Sequence, residues 1–383
     1  MTIYEADITE TSQSIAVLGA NGHTGRFVVA ELLRRGLKPI AVGRNAERLA
    51  AAGFAERGIE CREAAVEDDG ELDRALAGAA AVINCAGPFM DTADAVVRAA
   101  LRAGIHYLDV TAEQPSVQAT FERHEVAARE AGTAVIPAMG FYGGLADLLV
   151  AAVMDEWEHA DDIEIRVALD SWLPTRGTRV TGERNTARRL AVSGGQLEPV
   201  PQPPAERVST LPAPFGRQTF VELPFSEVPL IARHVRTKEL HTFLSTVALR
   251  DVRDSSTPPP QAVDESGRSA QRFAVEVIVT QGDVRRQIVA QGQDIYAVTA
   301  PIICEAVQRI LSGRIRDIGA KAPAAIFDAA SFLQALGPDL SVEISELSSE
   351  TPDFQKVPHN GVGDLILLAY SGRLFRTIVP LWR

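Results

Sequence analysis

The residues with the clearest chemical potential form a glycine-spaced loop near the start of the chain. This loop follows a short apolar run, Ser14 to Leu18, and precedes a stretch with helical periodicity. At a strand–helix junction, glycines at this spacing are typical of a dinucleotide site, where free backbone amides and the positive helix end meet a pyrophosphate. Glycines alone also form ordinary turns. The loop residues predicted to bind a cofactor are Gly19, Ala20, Asn21, Gly22, His23, Thr24 and Gly25.

The end of the second predicted strand indicates which dinucleotide is bound. Sites that prefer NAD usually place a carboxylate there for the ribose hydroxyls. This chain instead has Arg44 and Asn45, and an arginine can make charge-assisted hydrogen bonds to a 2′-phosphate. The alternative is a solvated arginine near a helix start. The pattern predicts NADP(H), with Arg44 and Asn45 in its site.

Hydride chemistry often needs a proton donor as well, and three residues are candidates. Asp109 and Glu113 are carboxylates at a predicted strand end, and Tyr142 is a hydroxyl donor in a glycine-rich turn. The alternative for both carboxylates is that they cap backbone amides at a helix start.

Cys85 allows a different chemistry, because a thiolate there could attack an aldehyde. The alternative is a small apolar side chain among core residues. His106, with Asp109 and Glu113, lacks the spacing of a helix-face metal site, so no metal is predicted.

The Tyr-x-x-x-Lys pair of short-chain dehydrogenases does not occur in this sequence. The residues four positions before the lysines are Arg34, His234, Asp317 and Pro352. That class of reductase is therefore set aside despite its similar glycine loop.

Alternating strand and helix patterns position these candidates. From Ser14 to Pro137, six strand-like runs alternate with helical ones, which predicts a doubly wound parallel sheet of the Rossmann type. Later, Arg272 to Thr280 and Val284 to Gln291 predict a β-hairpin, and Thr299 is the predicted N-cap of a helix. The predicted fold class is α/β, with a second α+β domain whose sheet is mainly antiparallel. The predicted divisions are an N-terminal extension at 1–13, an NADP-binding domain at 14–145, a substrate and dimerisation domain at 146–350, and a C-terminal segment at 351–383 that returns to the first domain.

The bulk composition limits the partners. The 383 residues exceed one usual core, and the formal charge of −12 disfavours nucleic acid. Three widely spaced cysteines indicate a reducing compartment. No signal peptide and no apolar run of about 20 residues is present, so no transmembrane segment is predicted and a cytoplasmic location is expected. The apolar stretch from Gly363 to Trp382 is expected to pack on the first domain or on a partner; contact with a lipid is the alternative.

Several of these segments together resemble the saccharopine dehydrogenase-like family, which includes saccharopine reductases and trans-acting enoyl reductases of lipid biosynthesis. The resemblance runs from about Ser14 to Leu149 and is loose beyond. It implies that the residues after the fourth strand pass beneath the nicotinamide and that Asp109 and Glu113 lie at the carboxyl end of the fifth strand. The segments that carry it are Gly19–Gly25, Gly43–Asn45, Val82–Phe89, His106–Glu113 and Gly140–Gly144. The cofactor positions that it adds are Cys85, Ala86, Gly87, Pro88 and Phe89.

The leading hypothesis is an NADPH-dependent reductase that acts on a C=N or C=C bond of a small molecule. One alternative is an NADP(H)-binding sensor or accessory protein without turnover. Another is an NADP-dependent semialdehyde dehydrogenase that uses Cys85. An exposed sheet face in the second domain would favour a homodimer.

Overall fold

The computed structural model describes residues 13–347 and 355–356, which form two β-sheets with helices packed against them. The strands are β1 Ser14–Leu18, β2 Lys38–Gly43, β3 Glu60–Glu63, β4 Ala81–Asn84, β5 His106–Asp109, β6 Ala134–Ile136, β7 His159–Leu169, β8 Leu190–Ser193, β9 Gln196–Pro199, β10 Glu206–Leu211, β11 Gly216–Glu222, β12 Arg236–Ser245, β13 Arg272–Gln281, β14 Val284–Gln293, β15 Gly319–Ala320, β16 Leu340–Leu347 and β17 Gln355–Lys356. The helices are α1 His23–Arg34, α2 Ala46–Ala50, α3 Asp69–Leu76, α4 Phe89–Ala103, α5 Gln114–Glu130, α6 Ala146–Met154, α7 Arg176–Arg184, α8 Glu227–Ile231, α9 Thr246–Arg253, α10 Thr299–Leu311, α11 Pro323–Ile326 and α12 Ala329–Ala335.

The first sheet is parallel and has the order β15-β6-β5-β4-β1-β2-β3. Its interior strand β1 is apolar on both faces because helices cover both. Ile15 and Val17 pack into the core that contains α1, while Ala16 and Leu18 pack into the core that contains α3, α4 and α5. This is the predicted doubly wound Rossmann sheet, and the fold class is confirmed.

A seventh strand completes the first sheet from far along the chain. Gly319 donates its backbone N–H to Thr133 O at 2.9 Å, and Lys321 donates to Val135 O at 3.0 Å. The six strands predicted from the sequence are present, but β15 was not predicted, because two residues carry no periodic pattern. The predicted domain bounds themselves stay a prediction.

The second sheet has the order β16-β14-β13-β7-β12-β11-β10-β17, with β8 and β9 attached beside β12. Every neighbouring pair is antiparallel except β7 and β12, and β13 and β14 form the predicted hairpin. One face of β7, with Ile163, Ile165 and Val167, packs into the same core as α1 and α6. The apolar interior is therefore continuous between the two sheets.

Helix α10 joins the two halves through buried charge as well as apolar packing. Arg35, at the end of α1, donates to the Glu305 carboxylate at 2.6 Å and to Glu31 at 2.7 Å. Burial opposes the charged form of Glu305, but hydrogen bonds from Arg35 and Arg309 outweigh it and lower the pKa of Glu305. The ionised carboxylate is therefore the form that ties α10 to α1.

Thr299 was predicted to be the N-cap of α10, and this prediction is wrong. The preceding residue, Val298, occupies the cap position, and Thr299 is the first helical residue. Its hydroxyl donates to Ile295 O at 2.9 Å and accepts the backbone N–H of Phe141 at 3.2 Å. Thr299 thus connects α10 to the turn that carries Tyr142.

Within residues 13–347, none of the helices combines the length and apolar character that crossing a membrane requires. The apolar stretch from Gly363 to Trp382, and with it the predicted return of residues 351–383 to the first domain, lies outside the described residues.

We expect Glu305→Gln to lower the free energy of unfolding by about 3 kcal/mol, because it leaves the buried Arg35 and Arg309 without a shared carboxylate. Urea unfolding followed by circular dichroism measures the change. The matched control is Lys238→Met, which breaks an exposed ion pair with Asp161 and should leave the stability nearly unchanged. Equal effects of the two substitutions would contradict the assigned role of Glu305.

Candidate functional site

The glycine loop lies between β1 and α1, as predicted, and its packing leaves no room for a side chain at Gly25. A Cβ atom on Gly25 would lie 2.2 Å from Gly19 O and 2.9 Å from Ala20 Cα. Gly22 occupies the cap position of α1 without a side-chain hydrogen bond to the helix, and the first turn contains no acidic residue. Backbone N–H groups at the start of this twelve-residue helix therefore form a cradle suited to a pyrophosphate.

Arg44 lies at the carboxyl end of β2 and is exposed. It forms no ion pair or hydrogen bond with any residue between 13 and 347. The next residue, Asn45, caps α2 by accepting the backbone N–H of Arg48 at 2.8 Å. The side chain of Asn21, from the glycine loop, lies against Gly43. Arg44 and the glycine loop are thus neighbours at the same edge of the sheet.

The ends of β4, β5 and β6 are fixed by a series of side-chain hydrogen bonds to backbone amides. Asp109 Oδ1 accepts the N–H groups of Thr111 at 2.9 Å and Ala138 at 2.8 Å, and its Oδ2 accepts the Tyr107 hydroxyl at 2.8 Å. The Thr111 hydroxyl then accepts the N–H of Glu113 at 3.0 Å. We call these contacts the strand-end ladder.

The strand-end ladder continues into the start of α4. The Glu113 carboxylate accepts the backbone N–H of Phe89 at 2.8 Å and that of Met90 at 3.2 Å. These are the first amides of α4, which lack acceptors within the helix. The Cys85–Phe89 segment is therefore held directly beside the carboxyl end of β5. Both candidate carboxylates have backbone partners, which favours their structural interpretation; a catalytic role for either stays a prediction.

Burial changes the ionisation of these groups. It raises the pKa of Asp109 to about 6, although the amides of Ala138 and Thr111 and the Tyr107 hydroxyl favour the charged form. Burial also raises the pKa of Glu113. Burial and the nearby Asp109 carboxylate raise the pKa of the Cys85 thiol to about 12, so Cys85 stays a thiol at neutral pH.

His106, the third member of the metal grouping considered above, has a structural partner. Its Nδ1 accepts the backbone N–H of Ala134 at 3.0 Å, which links β5 to β6. Among the residues that the structure describes, no three His, Cys, Asp or Glu side chains converge as metal ligands.

Tyr142 lies in a tight turn between β6 and α6. Gly143 has φ of +106°, and a Cβ there would lie 2.6 Å from Ser226 Oγ and 2.8 Å from Ala138 Cβ. The Ser226 hydroxyl lies within hydrogen-bond distance of Tyr142 O, 3.2 Å, and of Thr111 O, 3.0 Å. The turn therefore holds the Tyr142 backbone against the strand-end ladder.

The Tyr142 side chain enters an aromatic cluster from the second domain. Its ring centroid is 4.3 Å from Phe225 and 5.5 Å from Trp172. The buried hydroxyl has no hydrogen-bond partner among the described residues. Burial, with Tyr296 and Glu227 nearby, raises the pKa of Tyr142 well above its ordinary value. The hydroxyl thus keeps its proton at physiological pH, and none of the described side chains uses it.

His23 connects the glycine loop to the second domain. Its ring contacts Tyr296 and Phe27 edge-on, with both centroid distances 5.3 Å. Its Nε2 atom is buried without a hydrogen-bond partner among the described residues. Burial lowers the pKa of His23, although Asp294 opposes the shift. The imidazole is thus neutral at pH 7 and can donate or accept one more hydrogen bond at the cofactor loop.

Helix α7 lies over the segment that follows β4. Thr181 Oγ1 lies 3.3 Å from the position of a Cβ on Gly87, and Arg184 forms an ion pair with Asp91. At the other end of α7, the Thr178 hydroxyl is 2.8 Å from the Tyr296 hydroxyl. The second domain therefore covers the position predicted for the nicotinamide.

Sequence reasoning did not identify the second-domain wall of this cleft, formed by Trp172, Phe225, Tyr296, α7 and Arg189. Only one feature of the sequence, a local excess of arginines, could have indicated part of this wall. Residues 176–189 contain five arginines and one glutamate in a chain of net charge −12. The aromatic residues stand alone in the sequence and have no diagnostic spacing.

Two surface cavities lie away from the predicted site residues. One of about 630 Å³ is lined by residues between Arg309 and Ala335, and one of about 330 Å³ lies between Asp170–Leu173 and the loop from Pro258 to Gln271. Neither is lined by a predicted site residue.

Comparisons with known proteins relate the first part of the chain to one family. Residues 15–136 match the profile of the family described as the saccharopine dehydrogenase NADP binding domain. A probable mitochondrial saccharopine dehydrogenase-like oxidoreductase of Arabidopsis thaliana is 29% identical over 180 residues, which is 42% of this chain and 40% of that protein. A saccharopine dehydrogenase-like oxidoreductase of Bos taurus is 26% identical over 152 residues, 35% of each protein. The chain thus matches well under half the length of these relatives.

A relative with a different name and a solved structure extend the comparison. A lipid droplet localized protein of Caenorhabditis elegans is 30% identical over 146 residues, 35% of this chain and 34% of that protein. The apo saccharopine dehydrogenase (L-Glu forming) of Saccharomyces cerevisiae superposes with a TM-score of 0.62 at 12% identity, over 87% of this chain and all of that one. The structural likeness shows the shared fold across both sheets.

The raised pKa of Asp109 predicts a pH-dependent stability difference between the native protein and Asp109→Asn. An acid whose folded-state pKa is above its unfolded value contributes stability below the unfolded pKa, and this contribution is lost as the pH rises through the folded pKa. Between pH about 4 and about 6, the native protein should therefore lose on the order of 3 kcal/mol relative to Asp109→Asn. Urea unfolding across that range tests this, and a constant difference would contradict it.

Proposed function

We propose that this chain, whose residues 15–136 match the saccharopine dehydrogenase NADP binding domain, is an NADPH-dependent reductase of a C=N or C=C bond. One observation carries the proposal: the Tyr142 hydroxyl is buried without a hydrogen-bond partner among the described residues, in a turn that packs between the strand-end ladder and the aromatic residues of the second domain. Bound NADPH would supply the hydride for such a reduction. The substrate is a small molecule bound between the two domains.

Each group of the site has a role in this proposal. The amides at the start of α1 bind the pyrophosphate, Arg44 binds the 2′-phosphate, and the Cys85–Phe89 segment supports the nicotinamide. Asp109 and Glu113 act as positioning residues, because they fix the backbone of that segment. The Tyr142 hydroxyl donates a proton to the substrate atom that becomes basic on reduction, and water then restores that proton.

One observation favours a second candidate, an NADP(H)-binding protein without turnover. Asp109 and Glu113 both accept backbone amides, so neither carboxylate is free to serve as the acid that turnover requires. The third possibility, a semialdehyde dehydrogenase, is less consistent with the site. A Cys85 thiol whose pKa is about 12 is a poor nucleophile at neutral pH.

A cytoplasmic homodimer is part of the same proposal. The described cysteines Cys61, Cys85 and Cys304 are free, which suits a reducing compartment. Strand β16 forms one edge of the second sheet and exposes Ile344, so it offers a surface for a second copy. Size-exclusion chromatography with light scattering tests the dimer.

We expect Arg44→Ala to weaken NADPH binding about tenfold or more and to leave NADH binding unchanged, because only NADPH carries the 2′-phosphate. Nicotinamide fluorescence titration measures both affinities. The control is Arg57→Ala, which removes an exposed arginine just before β3. Arg57 lies near the amino ends of the parallel strands, whereas Arg44 lies at their carboxyl ends. If Arg44→Ala lost the same affinity for NADPH and for NADH, the contact with the 2′-phosphate would be contradicted. If the native protein bound neither nucleotide, the proposed function would be wrong.

We expect Tyr142→Phe to keep the free energy of unfolding and the NADPH affinity, because the hydroxyl makes no hydrogen bond with any of the described residues. Tyr296→Phe is the structural control: its hydroxyl contacts Trp172, Thr175 and Thr178, and its loss should cost about 1–3 kcal/mol.

Turnover then tests the proposed role of Tyr142. With NADPH and either pyrroline or cyclohexenone as the probe, nicotinamide absorbance should show a rate that falls about 100-fold or more in Tyr142→Phe. NADPH binding without turnover of either probe would favour the second candidate function. Full activity of Tyr142→Phe would remove Tyr142 as the donor.

A further inference from the structure

We propose that the cavity at the carboxyl end of α10 binds the phosphate group of a phosphorylated small molecule. The cavity has a volume of about 630 Å³ and lies between the end of α10, the connection from α10 to β15, and α12. This volume is typical of small-molecule sites, which enclose about 300–1,000 Å³. The proposed reductase does not require this second site, so the inference goes beyond that function.

Helix α10 separates the cavity from the cofactor cleft. Its first residue, Thr299, contacts Phe141 beside Tyr142, and its last residue, Leu311, directly precedes the cavity. The 13 residues of the helix span about 20 Å. None of the residues predicted to bind the cofactor lines the cavity. The two sites therefore lie at opposite ends of one helix.

Arg309 forms a fixed wall of the cavity. Its Nε donates to the Glu305 carboxylate at 2.7 Å, Nη1 donates to the Ser331 hydroxyl at 2.9 Å, and Nη2 donates to Ser331 O at 2.8 Å. The guanidinium carbon also lies 4.8 Å from the centre of the Phe332 ring. These contacts use all three nitrogens and hold α12 against α10, so the shape of the cavity is set without a ligand.

Arg314 and Arg316 supply the hydrogen-bond donors that the protein leaves available. Arg314 Nε donates to the Ser312 hydroxyl at 3.0 Å, and none of the carboxylates between residues 13 and 347 forms an ion pair with Arg314. Arg316 donates from Nη2 to Asp328 at 2.5 Å, and its other two nitrogens have no partner among the described residues. Both arginines are exposed and line the cavity, on either side of Ile315, which packs against the core.

The charge of the cavity favours an anion. Its described lining contains three arginines and one carboxylate, although the whole chain has a net charge of −12. Asp328 is itself occupied, because Oδ1 accepts the backbone N–H of Ser331 at 2.9 Å and Oδ2 contacts Arg316. A local excess of positive charge in an acidic protein concentrates small anions at that position.

The arrangement of donors favours a phosphate over a carboxylate. A phosphate monoester carries nearly two negative charges at neutral pH and has three terminal oxygens. It can therefore accept charge-assisted hydrogen bonds from Arg314 and Arg316 on different oxygens, whereas a carboxylate has one charge and two oxygens. The remaining space suits an organic group, which would contact Ile315, Ala335 and the exposed amide of Gln334.

The test compares three probes that share a phenyl ring and differ in the attached group: phenyl phosphate, benzoate and phenol. Ligand-observed NMR titrations use the NADPH-saturated protein at low salt and about pH 7.5, where phenyl phosphate is mainly a dianion. Bound NADPH keeps the probes out of the glycine loop. We expect phenyl phosphate to bind about tenfold more tightly than benzoate or phenol, because it alone can engage both arginines with two charges.

Three variants locate the binding. Arg314→Met should weaken phenyl phosphate about tenfold, because it removes the unpaired guanidinium. Asp328→Asn should strengthen binding about threefold, because it removes a carboxylate and releases Arg316, while asparagine keeps the cap of α12. The matched control is Arg250→Met, which removes the same charge from an exposed position on α9, away from the cavity, and should leave the affinity unchanged.

Any of three results would overturn the inference. Benzoate or phenol could bind the native protein as tightly as phenyl phosphate does. Arg314→Met could have no larger effect than Arg250→Met, or Asp328→Asn could weaken phenyl phosphate. Thermal melting checks that each variant is folded; if Arg314→Met is not, Arg314→Gln replaces it with the same expected loss. Phenyl phosphate should also raise the melting temperature of the native protein more than that of Arg314→Met, since a ligand of the folded state stabilises it.

The same titrations separate this inference from the proposed function. If the protein binds neither nucleotide, the reductase proposal fails, while phenyl phosphate binding that depends on Arg314 still supports the cavity site. If NADPH binds normally and phenyl phosphate does not respond to Arg314→Met, the cavity inference alone fails. In the absence of NADPH, phenyl phosphate that responds to Arg44→Ala instead of Arg314→Met would be bound at the cofactor loop, which also contradicts the cavity site.

Discussion

The cleft depends on the buried Asp109 carboxylate. It accepts amides from the ends of two strands, and through Thr111 and Glu113 the same series of hydrogen bonds reaches the first turn of α4. An acid that is fully buried without a cationic partner is costly, and its raised pKa reflects that cost. The resulting geometry is specific: the segment under the predicted nicotinamide and the residues that lead into the Tyr142 turn are held by one series of hydrogen bonds, the first through Glu113 and the second through Asp109. The site is thus positioned by polar contacts rather than by apolar packing alone.

The sequence predicted the parts of the site that are local. The glycine loop, Arg44, the Cys85–Phe89 segment and the strand-end acids each lie within a few residues of a periodic strand, so their edge of the sheet follows from the alternation of strands and helices. The ambiguity left by the sequence was the role of Asp109 and Glu113, because cap residues and catalytic acids have the same side chains. Their hydrogen bonds to backbone amides distinguish the two interpretations, and no spacing rule contains that information.

The second wall of the cleft could not be predicted, because long-range contacts assemble it. Trp172 follows β7, Phe225 precedes α8 and Tyr296 precedes α10, so no window of sequence contains two of them. Thr299 shows the same limit at smaller scale. Its type and position suit a helix cap, yet it bonds to Phe141, which is distant in sequence. Tertiary contacts, rather than local preference, decide such positions.

The two-residue strand β15 has a consequence for how the molecule can be divided. It covers the outer edge of β6, so the first sheet is complete only when residues that lie between β14 and β16 of the second sheet are present. A fragment that ends where the first domain appears to end in sequence would expose the backbone amides and carbonyls of β6 as an open edge. Open edges pair with other chains, so such a fragment is prone to aggregation even though it retains every residue predicted to bind the cofactor. A chimaera that exchanges the second half of the chain must therefore bring its own edge strand.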